Sequence, residues 1–230
     1  MARLARLAVA GQTHYVMQRG HDARPVFIDA SDREAFLEAL KQAADAQSVT
    51  IHGYALLDAE VHLLVTPDTA QGLSRMMQTL GRRYGQAFNR GHGRRGTLWE
   101  GRFRAAPVEP EPWVRIALAW LEQVPVAAGL TARPADYPWS SAAHHIGLRR
   151  DPLLADHAAY WQLGNTPFER EAAWRGILEQ PVEPEHGARL VSAVRRGWPV
   201  GSDAFVARLA SMVRRPVVPR PRGRPKRGSR

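Results

Sequence analysis

Four segments in the first half of the chain have the composition of β-strands. They are rich in β-branched and aromatic side chains, which favour strands, and Gly20, Asp58 and Pro67 stand where turns are expected to follow the first three. The predicted strands are residues 12–17, 49–57, 61–66 and 102–108.

Three further segments have apolar side chains at helical spacing. Ser31, with Glu34 three residues later, has the pattern of a capping box, so the first helix is predicted to begin there. Pro125 is predicted to stop the third helix, because proline lacks the backbone N–H of a helix interior. The predicted helices are residues 31–46, 73–89 and 112–123.

The order of these elements predicts an α+β fold. Strand–helix–strand–strand–helix–strand is the ferredoxin-like split βαβ plan, a four-stranded antiparallel sheet with helices on one face. From Asp151 onward the pattern predicts helices only, and the last residues are rich in Arg, Pro and Gly. We therefore expect a domain over 1–150, an all-helical extension over 151–214 and a basic disordered tail over 215–230.

The composition narrows the classes of protein to consider. The chain has 230 residues, of which 44% are hydrophobic, which is enough for a core. It has no cysteine, which excludes disulfide scaffolds and thiol nucleophiles. No apolar run is long enough for a membrane span, and residues 1–10 lack the apolar centre of a secretory signal, so we expect no membrane partner and a cytoplasmic location.

The positive charge is concentrated in two stretches. The formal net charge is +10, of which residues 214–230 carry +8 and residues 81–105 carry +6, so the rest of the chain is mildly acidic. A nucleic acid is the polyanion that best explains such a distribution. The alternative is that both stretches are solvated surface.

Two residues of the third predicted strand have the spacing of a metal site. Glu60 and His62 are two apart, so both side chains point to one face of the sheet, and a carboxylate with an imidazole suits Mg²⁺ or Mn²⁺. Asp58 and His52 are further candidate ligands. An isolated Glu-x-His is more often an ordinary surface pair.

Two other motifs suit DNA. Residues 81–104 interleave arginines with aromatic rings, of which Trp99 is the best candidate platform for stacking an unpaired base. Residues 221–225 resemble the core of an AT-hook, in which Arg222 and Arg224 would enter a minor groove. Non-specific phosphate contact explains this second motif equally well.

Several stretches together resemble one family. The chain is similar to the single-tyrosine HUH transposases, and most to the branch of REP-associated tyrosine transposases, through about Leu154. The stretches that carry the resemblance are residues 9–20, 54–67, 80–89, 96–102 and 136–141.

The resemblance implies both a fold and a reaction. It implies the split βαβ sheet, binding of single-stranded DNA folded into hairpins, and a His-x-His pair that holds a divalent metal. It also implies a helical tyrosine that attacks the scissile phosphate and becomes covalently linked to the DNA. Some relatives pair, so a homodimer stays open.

This chain departs from the family at the positions that carry the chemistry. The usual Pro-Asn-His-x-His reads Asp58-Ala-Glu-Val-His62, so Glu60 replaces one metal-binding histidine. The usual Tyr-Ile-Glu-Leu-Asn-Pro-Val reads Trp120-Leu-Glu-Gln-Val-Pro-Val126. Trp120 therefore stands at the nucleophile position, and an indole has no oxygen that can attack phosphorus.

Three hypotheses follow. The first is a hairpin-DNA-binding protein with impaired strand transfer, and the second is an active enzyme that uses Tyr84, Tyr137 or a metal-activated water. The third is a module that binds structured RNA. The arginines expected to contact phosphates are Arg19, Arg82, Arg83, Arg94, Arg95, Arg102 and Arg104.

Overall fold

The computed structural model describes residues 6–219 and contains the predicted sheet. Its four strands lie in the order β2-β3-β1-β4, and every neighbouring pair is antiparallel. This order interleaves two strand–helix–strand units, so the predicted ferredoxin-like plan is confirmed. The strands are β1 His14–Arg19, β2 Val49–Leu57, β3 Glu60–Pro67 and β4 Arg104–Pro107.

Eight α-helices accompany the sheet in the described part of the chain. The first two lie between strands, and the other six follow β4. They are α1 Ala30–Asp45, α2 Gly72–Gly91, α3 Arg115–Ala127, α4 Ala142–His145, α5 Ala158–Trp161, α6 Pro167–Glu179, α7 Pro184–Arg196 and α8 Asp203–Met212.

Both faces of the sheet are buried, so the prediction of helices on one face is wrong. Val16 and Leu63 belong to a core with α1 and α2, which we call the front core. Tyr15 and Leu64, on the opposite face, belong to a core with α3, α6 and α7, which we call the back core. Since successive strand residues point to opposite faces, the nearly continuous apolar run of β3 is what a two-sided burial requires.

Two residues that were predicted to set helix ends do not have that role in the structure. Asp29, and not Ser31, caps α1, because its side chain accepts a hydrogen bond from the Asp32 amide. Helix α3 continues through Pro125 to Ala127. Pro125 is buried in the last turn, where its missing N–H removes one hydrogen bond while the packing of the helix is kept.

The predicted extension has no strand in its described residues, as expected, but it shares its core with the sheet. Trp174 of α6 and Leu190 of α7 are fully buried in the back core. Helix α8 packs instead on the amino-terminal segment through Phe205 and Leu7. The boundary expected at residue 150 therefore divides a part with strands and helices from a part with helices only. It does not divide two independently packed cores. Within residues 6–219, no helix combines the length and apolar character needed to cross a bilayer.

Candidate functional site

Glu60 and His62 form a close pair on the back face of the sheet. They lie two residues apart on β3, and Arg19 and Met17 of β1 are their respective partners across the ladder. Arg19 Nε is 3.2 Å from one carboxylate oxygen of Glu60, and His62 Nε2 is 3.5 Å from the other. The structure thus brings the predicted carboxylate, imidazole and arginine together.

A tyrosine that the sequence did not indicate completes this group. The hydroxyl oxygen of Tyr15 lies 2.9 Å from His62 Nδ1, and the two rings meet edge to face with centroids 5.9 Å apart. Tyr15 is two residues from Met17 on β1, so it reaches His62 along a diagonal of the ladder. Finding this contact requires the register between β1 and β3, which local sequence patterns do not give.

The surroundings of Glu60 and Tyr15 fix the charge of each side chain. The adjacent His62 ring, together with Arg19 and Arg195, lowers the pKa of Glu60 below its ordinary value against the opposing effect of burial. Burial raises the pKa of the Tyr15 hydroxyl, and the charge of Glu60 raises it further. At neutral pH the group therefore holds a carboxylate and a neutral phenol.

Glu60 and His62 fit a hard divalent cation. Apart from its 3.5 Å ionic contact with Glu60, the buried Nε2 of His62 has no hydrogen-bond partner in the described residues. A carboxylate oxygen and an imidazole nitrogen are suitable ligands, and Mg²⁺ usually keeps several waters beside one or two protein ligands. These two protein ligands are therefore sufficient for a divalent cation if a phosphate completes its coordination shell.

Helix α7 lies over this part of the sheet. Its Leu190 and Val194 pack in the back core with Tyr15, and the Arg104 guanidinium donates a 2.9 Å hydrogen bond to the Arg195 carbonyl near the end of the helix. His62 is only 5% exposed. This cover was not predicted, because it depends on how the extension folds back.

Residues 81–105, which we call the basic segment, begin in α2 on the front of the sheet and continue through a loop that pairs with the end of β1. The Glu100 amide donates to the Arg19 carbonyl at 2.8 Å, and the His21 amide donates to the Leu98 carbonyl at 2.9 Å. These bonds place the segment at the end of β1 that carries Arg19, next to Glu60. The exposed arginines of the segment are Arg82, Arg83, Arg90, Arg95, Arg102 and Arg104.

Residues 10–117 match the family described as "Transposase IS200 like". Residues 10–117 form an IS200-like transposase domain. The matched residues include the whole sheet, the Glu60–His62 pair and the basic segment, and they end three residues before Trp120. No curated protein matches the sequence.

Two solved structures of transposases are similar to this one. A REP-associated tyrosine transposase bound to a REP hairpin has a TM-score of 0.54 and 16% identity, over 69% of this chain and 93% of that chain. A "putative transposase" from Deinococcus radiodurans R1 has a TM-score of 0.36 and 18% identity, over 47% of this chain and 87% of that one. The first likeness shows that the transposase fold is shared.

Two aromatic residues of this transposase domain do not have the exposure that their expected roles require. Trp99 is 8% exposed, and its indole donates to the Gly81 carbonyl at 3.2 Å, so it offers no free face to a base. Tyr84 is buried in the front core and donates to the Val26 carbonyl at 2.6 Å. Because His62 faces the back core, Tyr84 is separated from it by the sheet and is not a substitute nucleophile. The Tyr137 hydroxyl is likewise engaged, with the Leu56 carbonyl at 2.7 Å.

Trp120 packs at the edge of the back core and against α7. Leu118 and Leu121 are the α3 residues that press on Gly53 of β2, whereas the Trp120 ring lies against Gly187 of α7. Trp120 and Val124 line an apolar cleft of about 820 Å³ between α3 and α6, whose lining includes neither Glu60 nor His62. Trp120 and Val124, which stand where the family's helix motif has its tyrosine and its asparagine, thus share one apolar surface.

A second cluster of candidate ligands lies near α4. Ligand atoms of His144, His145 and Asp156 are within 4.8 Å of one another. However, His144 Nδ1 accepts a 3.0 Å hydrogen bond from the Asp151 amide, so the neutral ring carries its proton on Nε2 and donates it to Asp156 at 3.2 Å. His145 donates from Nδ1 to the Glu122 carboxylate at 2.6 Å, so its buried Nε2, 3.9 Å from Asp156, keeps a lone pair without a hydrogen-bond partner in the described residues. The cluster therefore offers one free imidazole nitrogen, from His145, whereas His144 is engaged at both ring nitrogens. Arg222 and Arg224 lie outside the described residues.

Proposed function

We propose that this protein binds single-stranded or hairpin DNA, such as palindromic repeats, along the basic segment and the Glu60–His62 pair, and that strand transfer through a tyrosine is impaired. The observation that supports the proposal is the backbone pairing of residues 98–100 with the end of β1, where Arg19 contacts Glu60. The hairpin bound to the structurally similar transposase supports the choice of hairpin DNA.

The roles of individual residues follow from their chemistry. The exposed arginines of the segment neutralise phosphates, and Arg94, whose guanidinium lies 5.4 Å from the Phe88 ring centre, is a further candidate. Glu60 and His62 would hold a Mg²⁺ or Mn²⁺ ion, which supplies positive charge to a phosphate oxygen when it is bound. The Trp120 indole is able to donate a hydrogen bond but has no oxygen that could attack phosphorus. A phosphotyrosine therefore cannot form at that position.

Labelled palindromic hairpins incubated with the purified protein and Mn²⁺ test both parts of the proposal. We expect a retarded complex on a native gel and no labelled protein on a denaturing gel. A labelled adduct that survives denaturation would show that strand transfer is intact. Equal binding of an RNA hairpin of the same sequence at the same salt concentration would instead favour the RNA-binding alternative.

A second candidate function is metal-dependent hydrolysis by water. It is favoured by the buried Nε2 of His62, which has no hydrogen-bond partner in the described residues and lies beside a charged carboxylate, because this nitrogen is able to bind a cation when the ring carries its proton on Nδ1. On the same gels this activity would give shortened DNA with no adduct. His62→Ala should then abolish the product, whereas Tyr84→Phe should leave it unchanged because Tyr84 lies in the front core.

A further inference from the structure

The tyrosine beside the candidate metal ligand differs from every other tyrosine in the protein. The chain has five tyrosines, and the hydroxyls of four of them donate to oxygen atoms that only accept: the Asp151 carboxylate and the carbonyls of Val26, Leu56 and His145. Tyr15 alone pairs with a ring nitrogen, at 2.9 Å, and the pair is buried. An imidazole nitrogen either donates or accepts, according to the tautomer of the ring.

The partner of Nδ1 decides whether Nε2 is able to bind a cation. When the phenol donates to Nδ1, the neutral ring carries its proton on Nε2, which points at Glu60 Oε2 3.5 Å away. When Nδ1 carries the proton and donates to the phenol oxygen, the lone pair of Nε2 is free. A carboxylate or carbonyl beside Nδ1 only accepts, so it would permit only the state with the proton on Nδ1. A backbone N–H only donates, so it would permit only the state with the proton on Nε2. A hydroxyl permits both.

We propose that Tyr15 is the positioning residue of His62: it holds the ring with Nε2 toward Glu60 and accepts either tautomer, so that the pair is stable both without a cation and with one. The inference rests on the proposed metal-binding role of Glu60 and His62. Three observations support it: the hydrogen bond, the edge-to-face packing of the rings at an interplanar angle of 73°, and the burial of Tyr15 in the back core that also contains Leu190 and Val194 of α7. Partners that bind the second nitrogen of a ligating histidine commonly change metal affinity about 10- to 100-fold when they are removed.

Mn²⁺ binding to the full-length protein, followed by the paramagnetic resonance signal of the free ion, tests the inference without any activity assay. We expect Tyr15→Phe to weaken Mn²⁺ binding about 10- to 100-fold, and His62→Ala to abolish it. Tyr160→Phe is the matched control, because its hydroxyl is also buried but donates to the His145 carbonyl. An unchanged affinity in Tyr15→Phe overturns the proposal, and so does an equal loss in Tyr160→Phe.

The His62→Ala variant separates the two levels of the proposal. If it binds Mn²⁺ as the wild type does, the metal site itself is wrong. If it loses binding while Tyr15→Phe does not, only the role of Tyr15 is wrong.

A measurement on the wild type keeps the inference testable even if Tyr15→Phe fails to fold. Nitrogen chemical shifts of the imidazole rings report which nitrogen of His62 carries the proton. We expect the Nε2–H tautomer in metal-free protein and the Nδ1–H tautomer after Mg²⁺ is added. A ring that has the Nδ1–H tautomer in both conditions overturns the proposal.

Discussion

Among the buried side chains, His14 shows most simply how the surroundings of one residue fix its charge. Its Nδ1 donates to the Gln12 carbonyl at 2.6 Å, and its Nε2 accepts a hydrogen bond from the Val9 amide at 3.3 Å. A second proton would have to bind to Nε2, and the new N–H would then point at the Val9 N–H, so that two donors would face each other. Together with complete burial, which lowers the pKa of His14 to about 4, this keeps the ring neutral.

Acid should therefore destabilise the protein through His14. Its pKa is about 4 when folded and about 6.5 when unfolded, so the unfolded chain binds the extra proton between these values and stability falls as the pH is lowered. We expect a loss of about 2 kcal/mol from this ring between pH 7 and pH 5. Urea denaturation at the two pH values measures the loss, and His14→Gln should make it smaller. An equal loss in the variant would contradict the assignment to His14.

Glu122 of α3 joins three helices through one buried carboxylate. It accepts hydrogen bonds from Ser141 Oγ and His145 Nδ1, both at 2.6 Å, and from the Trp174 indole at 2.8 Å. All four side chains are almost completely buried. If α4 or α6 moved away from α3, these buried donors would be left without an acceptor. The contact therefore fixes both helices on α3.

Removing that carboxylate should be strongly destabilising. We expect Glu122→Ala to lower the free energy of unfolding by about 3 kcal/mol or more, because three buried donors would lose their acceptor. Asp45→Ala, which removes an exposed partner of Lys41 on α1, is the control and should change it by less than about 0.5 kcal/mol. Similar losses in the two variants, measured by urea denaturation, would contradict this account of α3.

The basic segment should govern the salt dependence of DNA binding. Arg82, Arg83, Arg95 and Arg102 are exposed, so changing each to Gln should lower the slope of log affinity against log salt by about one unit if it contacts a phosphate. Arg133→Gln is the control, because that exposed arginine pairs with Asp136 at the rim of the apolar cleft. Titrations of a labelled hairpin at several salt concentrations give the slopes. Four unchanged slopes would exclude the segment from the interface.

At the same scale, the sequence predicts elements better than it predicts contacts between them. The bounds of β2 are as predicted, because the composition of a strand is a local signal. The pairing of Tyr15 with His62, the burial of Trp99 and the cover by α7 depend on register and on packing between distant segments. Glu60 and His62 were found because their spacing on one strand is itself local.

The whole molecule depends on two cores that share one sheet. The back core needs Trp174 and Leu178 from α6 and Leu190 and Val194 from α7 to cover Tyr15, so sheet and extension are parts of one packing unit. The tail beyond residue 219 brings six Lys or Arg side chains and lies outside the described residues.

Two truncations should separate stability from DNA affinity. A chain ending at residue 150 exposes the back core, and we expect it to be insoluble or to lack a cooperative thermal transition. A chain ending at residue 219 should unfold at the same temperature as the full chain but bind DNA with a smaller salt slope, since six positive charges are gone. A cooperative transition of the 1–150 chain near that of the full chain would contradict the shared core.

The position of α7 over the sheet has a consequence for the order in which molecules reach the site. The Glu60 side chain is 30% exposed and that of His62 is 6% exposed, so the carboxylate stands at the entrance and the imidazole behind it. A DNA strand that approached from solvent would therefore reach the carboxylate, or an ion held by it, before it reached the imidazole.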